Sequence, residues 1–93
     1  MALRYANQSR ATQLDGHYEI VSLTGTLSRN GSHLHASVSD STGKTLGGHL
    51  MAGGEVYTTV ELVIGVLPQL SFQREHDPES GYRELVVRQR SDP

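Results

Sequence analysis

The sequence predicts a predominantly antiparallel β-sheet with little or no helix. Apolar and polar side chains alternate with a period of two along much of the 93 residues, Val, Ile and Thr are frequent in these segments, and turn-forming residues separate them. The length allows one domain, which we assign to residues 1–93. Only 35% of the residues are hydrophobic, with no Trp and one Phe, so we expect oligomerisation to contribute to stability.

The clearest strand patterns lie in the first half of the chain. Residues 17–27 are rich in β-branched side chains and are followed by an Asn-Gly pair, so they predict a strand. In residues 33–39 and again in 45–51, apolar positions alternate with His, Ser, Thr or Gly. The turn-rich residues 40–44 join these two segments, which predicts a β-hairpin with Gly43 available for a positive φ angle.

Residues 55–67 fit both a strand and a helix. Apolar residues share one parity over much of this segment, yet four of them also recur at helical spacing. Val, Ile and Thr fill most of the segment, and β-branched side chains lose rotamer freedom in a helix but pack well on a pleated surface. We therefore predict a long strand here. The residues that would share one face are Val56, Thr58, Val60, Leu62, Ile64 and Val66.

The end of the chain predicts a second hairpin. Residues 70–75 and 82–90 both read as strands, and the turn sequence between them, 76–81, contains Pro78 and Gly81. Residues 1–14 carry too little pattern to be assigned.

Charge and cysteine content exclude several classes of protein. Eight Lys and Arg against ten Asp and Glu give a net charge of −2, and no basic patch is present, which disfavours direct nucleic-acid binding. The absence of cysteine excludes disulfide frameworks, thiolate catalysis and cysteine-based zinc sites. No apolar run is long enough to span a bilayer and no signal peptide is recognised, so we expect a cytoplasmic location.

Three of the five histidines lie in the first predicted hairpin. His33 and His35 are two residues apart, so both project from the same face of a strand. A register with Leu34 opposite Leu50 places His35 opposite His49, with their β-carbons about 4.5–5.5 Å apart. A slip of two residues would place His33 opposite His49 instead. Either register brings three imidazoles together on one face.

Two interpretations of these histidines stay open. His33, His35 and His49 offer the three nitrogen ligands of an open zinc site, in which a metal-bound hydroxide could serve as a nucleophile. Alternatively, they are partly exposed residues on the polar side of the sheet, hydrogen-bonded to neighbours or across a subunit interface. Gly47 and Gly48, beside His49, allow a close approach of two backbones, and no lysine-containing loop accompanies them as a phosphate site would require.

Three sequence blocks together resemble the plant-and-prokaryote-conserved (PPC) domain. They are the Glu-Ile-Val-Ser-Leu-Thr-Gly-Thr-Leu block at 19–27, the His-Leu-His block at 33–35 and the Gly-Gly-His-Leu block at 47–50. The resemblance is to the stand-alone prokaryotic type, which carries these histidines. It implies an α+β fold built on an antiparallel sheet, a homotrimer and an association with DNA-binding proteins.

The chain departs from the family pattern in two respects. The Arg-Gly-Arg-Pro hook through which the plant proteins read the minor groove is absent, so DNA binding is not carried over with the resemblance. The match also begins at about Leu3, and we therefore expect a domain that lacks the N-terminal strand and helix of the family.

From these observations we rank three candidate functions, the most favoured first. The first is a homotrimeric binding or interaction module, whose partners are its own copies and other proteins. The second is a zinc-binding enzyme or small-molecule-binding protein that uses the three histidines. The third, direct nucleic-acid binding, follows from the family resemblance but is disfavoured by the charge.

Overall fold

The computed structural model describes residues 1–90 as strands and connecting loops, without a helix among them. The last three residues of the predicted domain 1–93 lie outside the described part of the chain. Within residues 1–90, no helix is long and apolar enough to cross a membrane. The strands are β1 (Ala2–Arg4), β2 (Thr12–Gln13), β3 (Glu19–Ser28), β4 (Gly31–Ser39), β5 (Thr45–Met51), β6 (Leu70–His76) and β7 (Arg83–Gln89).

Five of these strands form one sheet in the order β2-β1-β5-β4-β3. Strand β5 therefore lies between β4, its partner in the predicted hairpin, and β1, which belongs to the segment that the sequence left unassigned. Strand β1 pairs antiparallel with β5, with Leu3 opposite Leu50 and Arg4 opposite His49. The three residues of β1 are too few to show a period of two, so only the structure reveals this pairing.

The chain divides into two compact units. One comprises residues 1–25 and 33–61, and the other comprises residues 26–32 and the chain from 62 onward. The second unit contains the antiparallel pair β6 and β7, which confirms the second predicted hairpin. In the same unit the Asn30 side-chain amide donates a hydrogen bond to the Arg74 carbonyl at 2.8 Å and accepts one from the Arg74 backbone amide at 2.7 Å. It thus satisfies both backbone groups of Arg74, as a neighbouring strand would.

The small core of the first unit lies on one face of the five-stranded sheet. Leu3 and Val38 are fully buried, Ala36 is nearly so, and Leu46 and Leu50 pack against this cluster. Because successive side chains of a strand point to opposite faces, the neighbours of these residues project from the other face. That second face carries the histidines.

The predicted strand over residues 55–67 is wrong. No strand lies between Met51 and Leu70, and most of the apolar side chains in between are exposed; Val63 is fully so. A strand requires a neighbour for its backbone hydrogen bonds, and this segment pairs with none of the seven strands of residues 1–90. β-branched composition reports how well side chains fit a pleated surface; it does not identify a pairing partner.

The turn between β4 and β5 is held by one carboxylate. Asp40 accepts hydrogen bonds from the Thr42 amide at 2.9 Å, the Thr42 hydroxyl at 2.7 Å and the Lys44 amide at 3.0 Å. Gly43 adopts a φ of 83°, as predicted for this position. These hydrogen bonds, the Thr42 hydroxyl first, lower the pKa of Asp40 below its ordinary value of 3.8.

We predict that Asp40→Asn destabilises the chain at neutral pH and that its effect shrinks in acid. The folded state lowers the pKa of Asp40, so ionised Asp40 stabilises the fold above its unfolded pKa, and this stability is lost as the pH falls through the folded pKa. Urea unfolding of both proteins from pH 7 to pH 2 measures the difference. Thr42→Val should also lower the free energy of unfolding at neutral pH. A difference in free energy of unfolding between the wild type and Asp40→Asn that stays constant from pH 7 to pH 2 would refute the role of ionised Asp40 in the turn.

Candidate metal centre

The register of β4 and β5 places His35 opposite His49 and Val38 opposite Leu46. This is the register predicted without the slip of two residues. His33, two residues before His35 on β4, shares their face. The three imidazoles therefore come together on the side of the sheet that does not carry the core.

The imidazole rings lie in mutual contact. The ring centroids are 5.1 Å apart for His33 and His35, 4.8 Å for His33 and His49, and 5.5 Å for His35 and His49. One ring nitrogen from each residue lies within 4.8 Å of the others. Two nitrogens that each bind a tetrahedral zinc ion at 2.0–2.1 Å are about 3.3 Å apart. The Nε2 atoms of His33 and His35, at 3.2 Å, already have this separation.

The same short distance also permits a direct hydrogen bond. If one of the two imidazoles carries a proton on Nε2 and the other does not, the first donates a hydrogen bond to the second. This is the second interpretation of the histidines, in which they are hydrogen-bonded to neighbours. Both arrangements use neutral rings.

The burial of the cluster decreases towards His35. His33 and His49 are half-buried and His35 is exposed, while the Nδ1 atom of His49 is buried. A ligand atom that approached the three rings would therefore come from the solvent side, past His35. This leaves the site accessible to a small molecule.

Gly25 fixes the position of His33 from the neighbouring strand. A β-carbon at position 25 would lie 2.0 Å from the carbonyl oxygen of His33 and 2.8 Å from the α-carbon of Leu34. The backbones of β3 and β4 therefore meet closely at His33 because residue 25 has no side chain. A glycine within a strand pattern is the sequence signal for such a contact, and Gly25 carries this signal within the predicted strand 17–27.

Two further features of this face were missed from the sequence. Arg4 lies directly opposite His49 on β1, so both side chains project from the same face. Ser37, which shares the parity of His33 and His35, forms a hydroxyl–hydroxyl hydrogen bond of 2.8 Å with Ser22 of β3. Arg4 went unnoticed because residues 1–14 could not be assigned to a strand.

The predicted close approach at the two adjacent glycines of β5 is confirmed. A β-carbon at Gly48 would lie 2.7 Å from the Arg4 carbonyl oxygen, and one at Gly47 would lie 3.1 Å from the Ala36 carbonyl oxygen. These glycines let β1 and β4 pack tightly on either side of β5. They hold Arg4 and His49 in neighbouring positions.

The chain is similar to several known proteins. The Plants and Prokaryotes Conserved (PCC) domain, the family named PPC above, matches residues 2–68. Two curated relatives, each named bifunctional protein GlmU, come from Synechococcus sp. strains JA-2-3B'a(2-13) and JA-3-3Ab. They are 44% and 42% identical over 85 residues, or 91% of this chain. The chain spans only 13% and 14% of the length of these two relatives.

A solved structure supports the same fold. A hypothetical protein from Salmonella enterica is 54% identical to the chain and superposes with a TM-score of 0.91 over 96% of this chain and 64% of that protein. At this identity the likeness extends to sequence as well as to the arrangement of strands.

We predict that Gly25→Ala displaces β3 from β4 at His33. The added methyl group would overlap a backbone oxygen that has little freedom to move, so we expect a loss of about 3 kcal/mol in the free energy of unfolding. We also expect a shift of the His33 imidazole signals in NMR spectra. Gly54→Ala is the matched control, because a β-carbon there comes no closer than 3.4 Å to another atom, which is an ordinary van der Waals contact. Equal stability of the two variants would contradict the proposed contact.

Proposed function

The chain belongs to the Plants and Prokaryotes Conserved domain family, and from the imidazoles that its sheet brings together we propose that it binds a zinc ion through His33, His35 and His49. The observation that carries the proposal is the distance of at most 4.8 Å among one ring nitrogen of each histidine. Strand pairing sets this distance, so the ligands need little ordering when the ion binds. The proposed role is that of a zinc-dependent small-molecule-binding domain.

The ligand set favours zinc over the common hard cations. Imidazole nitrogens suit Zn, Cu, Ni and Fe, whereas Mg²⁺ and Ca²⁺ require oxygen ligands. Three neutral imidazoles leave the full positive charge of the ion uncompensated and one tetrahedral position open. An open position is typical of catalytic rather than structural zinc sites. A zinc-dependent enzyme would therefore use the same three ligands and the same open position. When bound, the ion would supply Lewis-acid chemistry to an oxygen atom of a ligand.

A second candidate function is self-association as a homotrimeric interaction module. Many apolar side chains of residues 55–67 are exposed in the single chain, which is unusual for a protein that stays monomeric. The family resemblance implies a trimer, and a second copy of the chain is the occupant that we assign to this segment. The exposed apolar residues of the segment are Val56, Tyr57, Val60, Leu62, Val63, Ile64, Val66 and Leu67.

The sequence-based expectations about nucleic acid and location stay predictions. The net charge of −2 disfavours direct DNA binding, and the cytoplasm remains the expected location.

We predict that protein purified without a histidine tag binds one zinc ion per chain. His35→Ala and His49→Ala should each weaken zinc binding by more than about 100-fold. Loss of a group that only orients a metal ligand already weakens metal binding by about 10- to 100-fold, and loss of the ligand itself should weaken it further. Isothermal titration calorimetry and elemental analysis measure affinity and stoichiometry. His76→Ala, at an exposed histidine outside the cluster, is the control and should bind as the wild type does. Less than about a tenth of an ion per chain, with unchanged stability of His49→Ala, would overturn the proposal.

We predict a trimer by sedimentation velocity at micromolar concentration. Val63→Asp should shift the protein towards monomer because it places a charge on the most exposed apolar side chain of the segment. Gln8→Asp, in an exposed loop, should leave the sedimentation coefficient unchanged. A wild-type protein that remains monomeric, or a Val63→Asp trimer as stable as the wild type, would contradict the self-association candidate.

A further inference from the structure

We propose that the three-histidine face is a binding site for a small carboxylate, whose negative charge is shared between Arg4 and the bound metal ion. This inference rests on the proposed zinc site and names the class of molecule that would fill its open position. The observation that carries it is the pairing of β1 with β5, which places Arg4 directly opposite His49.

The position of Arg4 relative to the imidazoles follows from strand geometry. Directly opposed residues in an antiparallel pair project from the same face, with their β-carbons about 4.5–5.5 Å apart. His49 is in turn opposite His35. The order across the face is therefore Arg4, His49, His35, on three adjacent strands. A ligand of a few ångströms could contact the guanidinium and the metal position together.

The backbone around Arg4 is tightly held. A β-carbon at Gly48 would lie 2.7 Å from the Arg4 carbonyl oxygen and 3.5 Å from the Tyr5 ring. On the core side, Leu3 is fully buried opposite Leu50. A long, flexible side chain is thus anchored on a rigid strand, which limits the region that its guanidinium can reach.

The charge of Arg4 is not compensated within the described chain. Arg4 is half-buried, and the one ion pair among residues 1–90 joins Arg88 to Glu75. The metal-ligand cluster contains no carboxylate either. A divalent ion on three neutral imidazoles would therefore share its face with an uncompensated guanidinium, and the two cations would repel each other. An anion between them removes this repulsion.

The chemistry of the two cations favours a carboxylate. A guanidinium donates charge-assisted hydrogen bonds to carboxylate oxygens, and a zinc ion with one open position binds a single oxygen. A carboxylate can supply one oxygen to each cation. The hydroxyl pair of Ser22 and Ser37 lies on the same face and contributes no charge to it.

The test uses the full chain loaded with Co²⁺, whose visible absorption reports its coordination, and acetate as the probe. We expect acetate to change the cobalt spectrum of the wild type and to bind roughly 10- to 100-fold more weakly to Arg4→Gln, in line with the strength of charge-assisted hydrogen bonds. Arg4→Lys should fall between them, because an ammonium keeps the charge without the planar fork. Arg10→Gln, in an exposed loop of the same unit, is the matched control and should bind acetate as the wild type does.

The outcomes separate this inference from the zinc site itself. Failure of the wild type to bind Co²⁺ would refute the metal site and with it this inference. Normal Co²⁺ binding by Arg4→Gln together with unchanged acetate affinity would refute the role of Arg4 and leave the metal site standing. Inorganic phosphate that binds in an Arg4-dependent way, where acetate does not, would overturn the assignment of a carboxylate.

Discussion

The antiparallel register of β4 and β5 determines which side chains form the core of the sheet and which form its histidine face. The turn that Asp40 closes begins the hairpin with Ser39 opposite Thr45. Because side chains alternate between faces, a slip of one residue would move Val38 out of the core and the histidines into it. One register therefore both buries the apolar residues and opposes His35 to His49.

The sheet combines this register with close backbone contacts that only glycine permits. Gly25 brings β3 against His33 of β4, and Gly48 brings β5 against Arg4 of β1. The same strands carry a small core in which only five hydrophobic residues are buried among residues 1–90. The close backbone contacts lie in the five-stranded sheet, while many apolar side chains of the segment 55–67 are exposed. The histidine face and the exposed apolar segment are thus two separate surfaces, the first proposed to bind a metal ion and the second proposed to contact another copy of the chain.

Much of the fold and the centre of the site could be predicted from the sequence, since period-two alternation and turn residues determine strands, faces and register over residues 31–51. The histidine triad followed from that register. The predicted strand over 55–67 was wrong because composition does not identify a pairing partner. Arg4 and Gly25 were missed for a different reason: a three-residue strand has no readable period, and the contact made by Gly25 depends on backbone positions that only the folded chain defines.

We propose that the strand register positions three imidazoles to bind one metal ion. Anomalous X-ray diffraction at the zinc edge, from crystals grown with zinc and without chelator, would locate that ion. We expect one peak per chain, about 2.0–2.1 Å from a ring nitrogen of each of His33, His35 and His49. No peak at this position, with His33 and His35 hydrogen-bonded to each other, would refute the metal site.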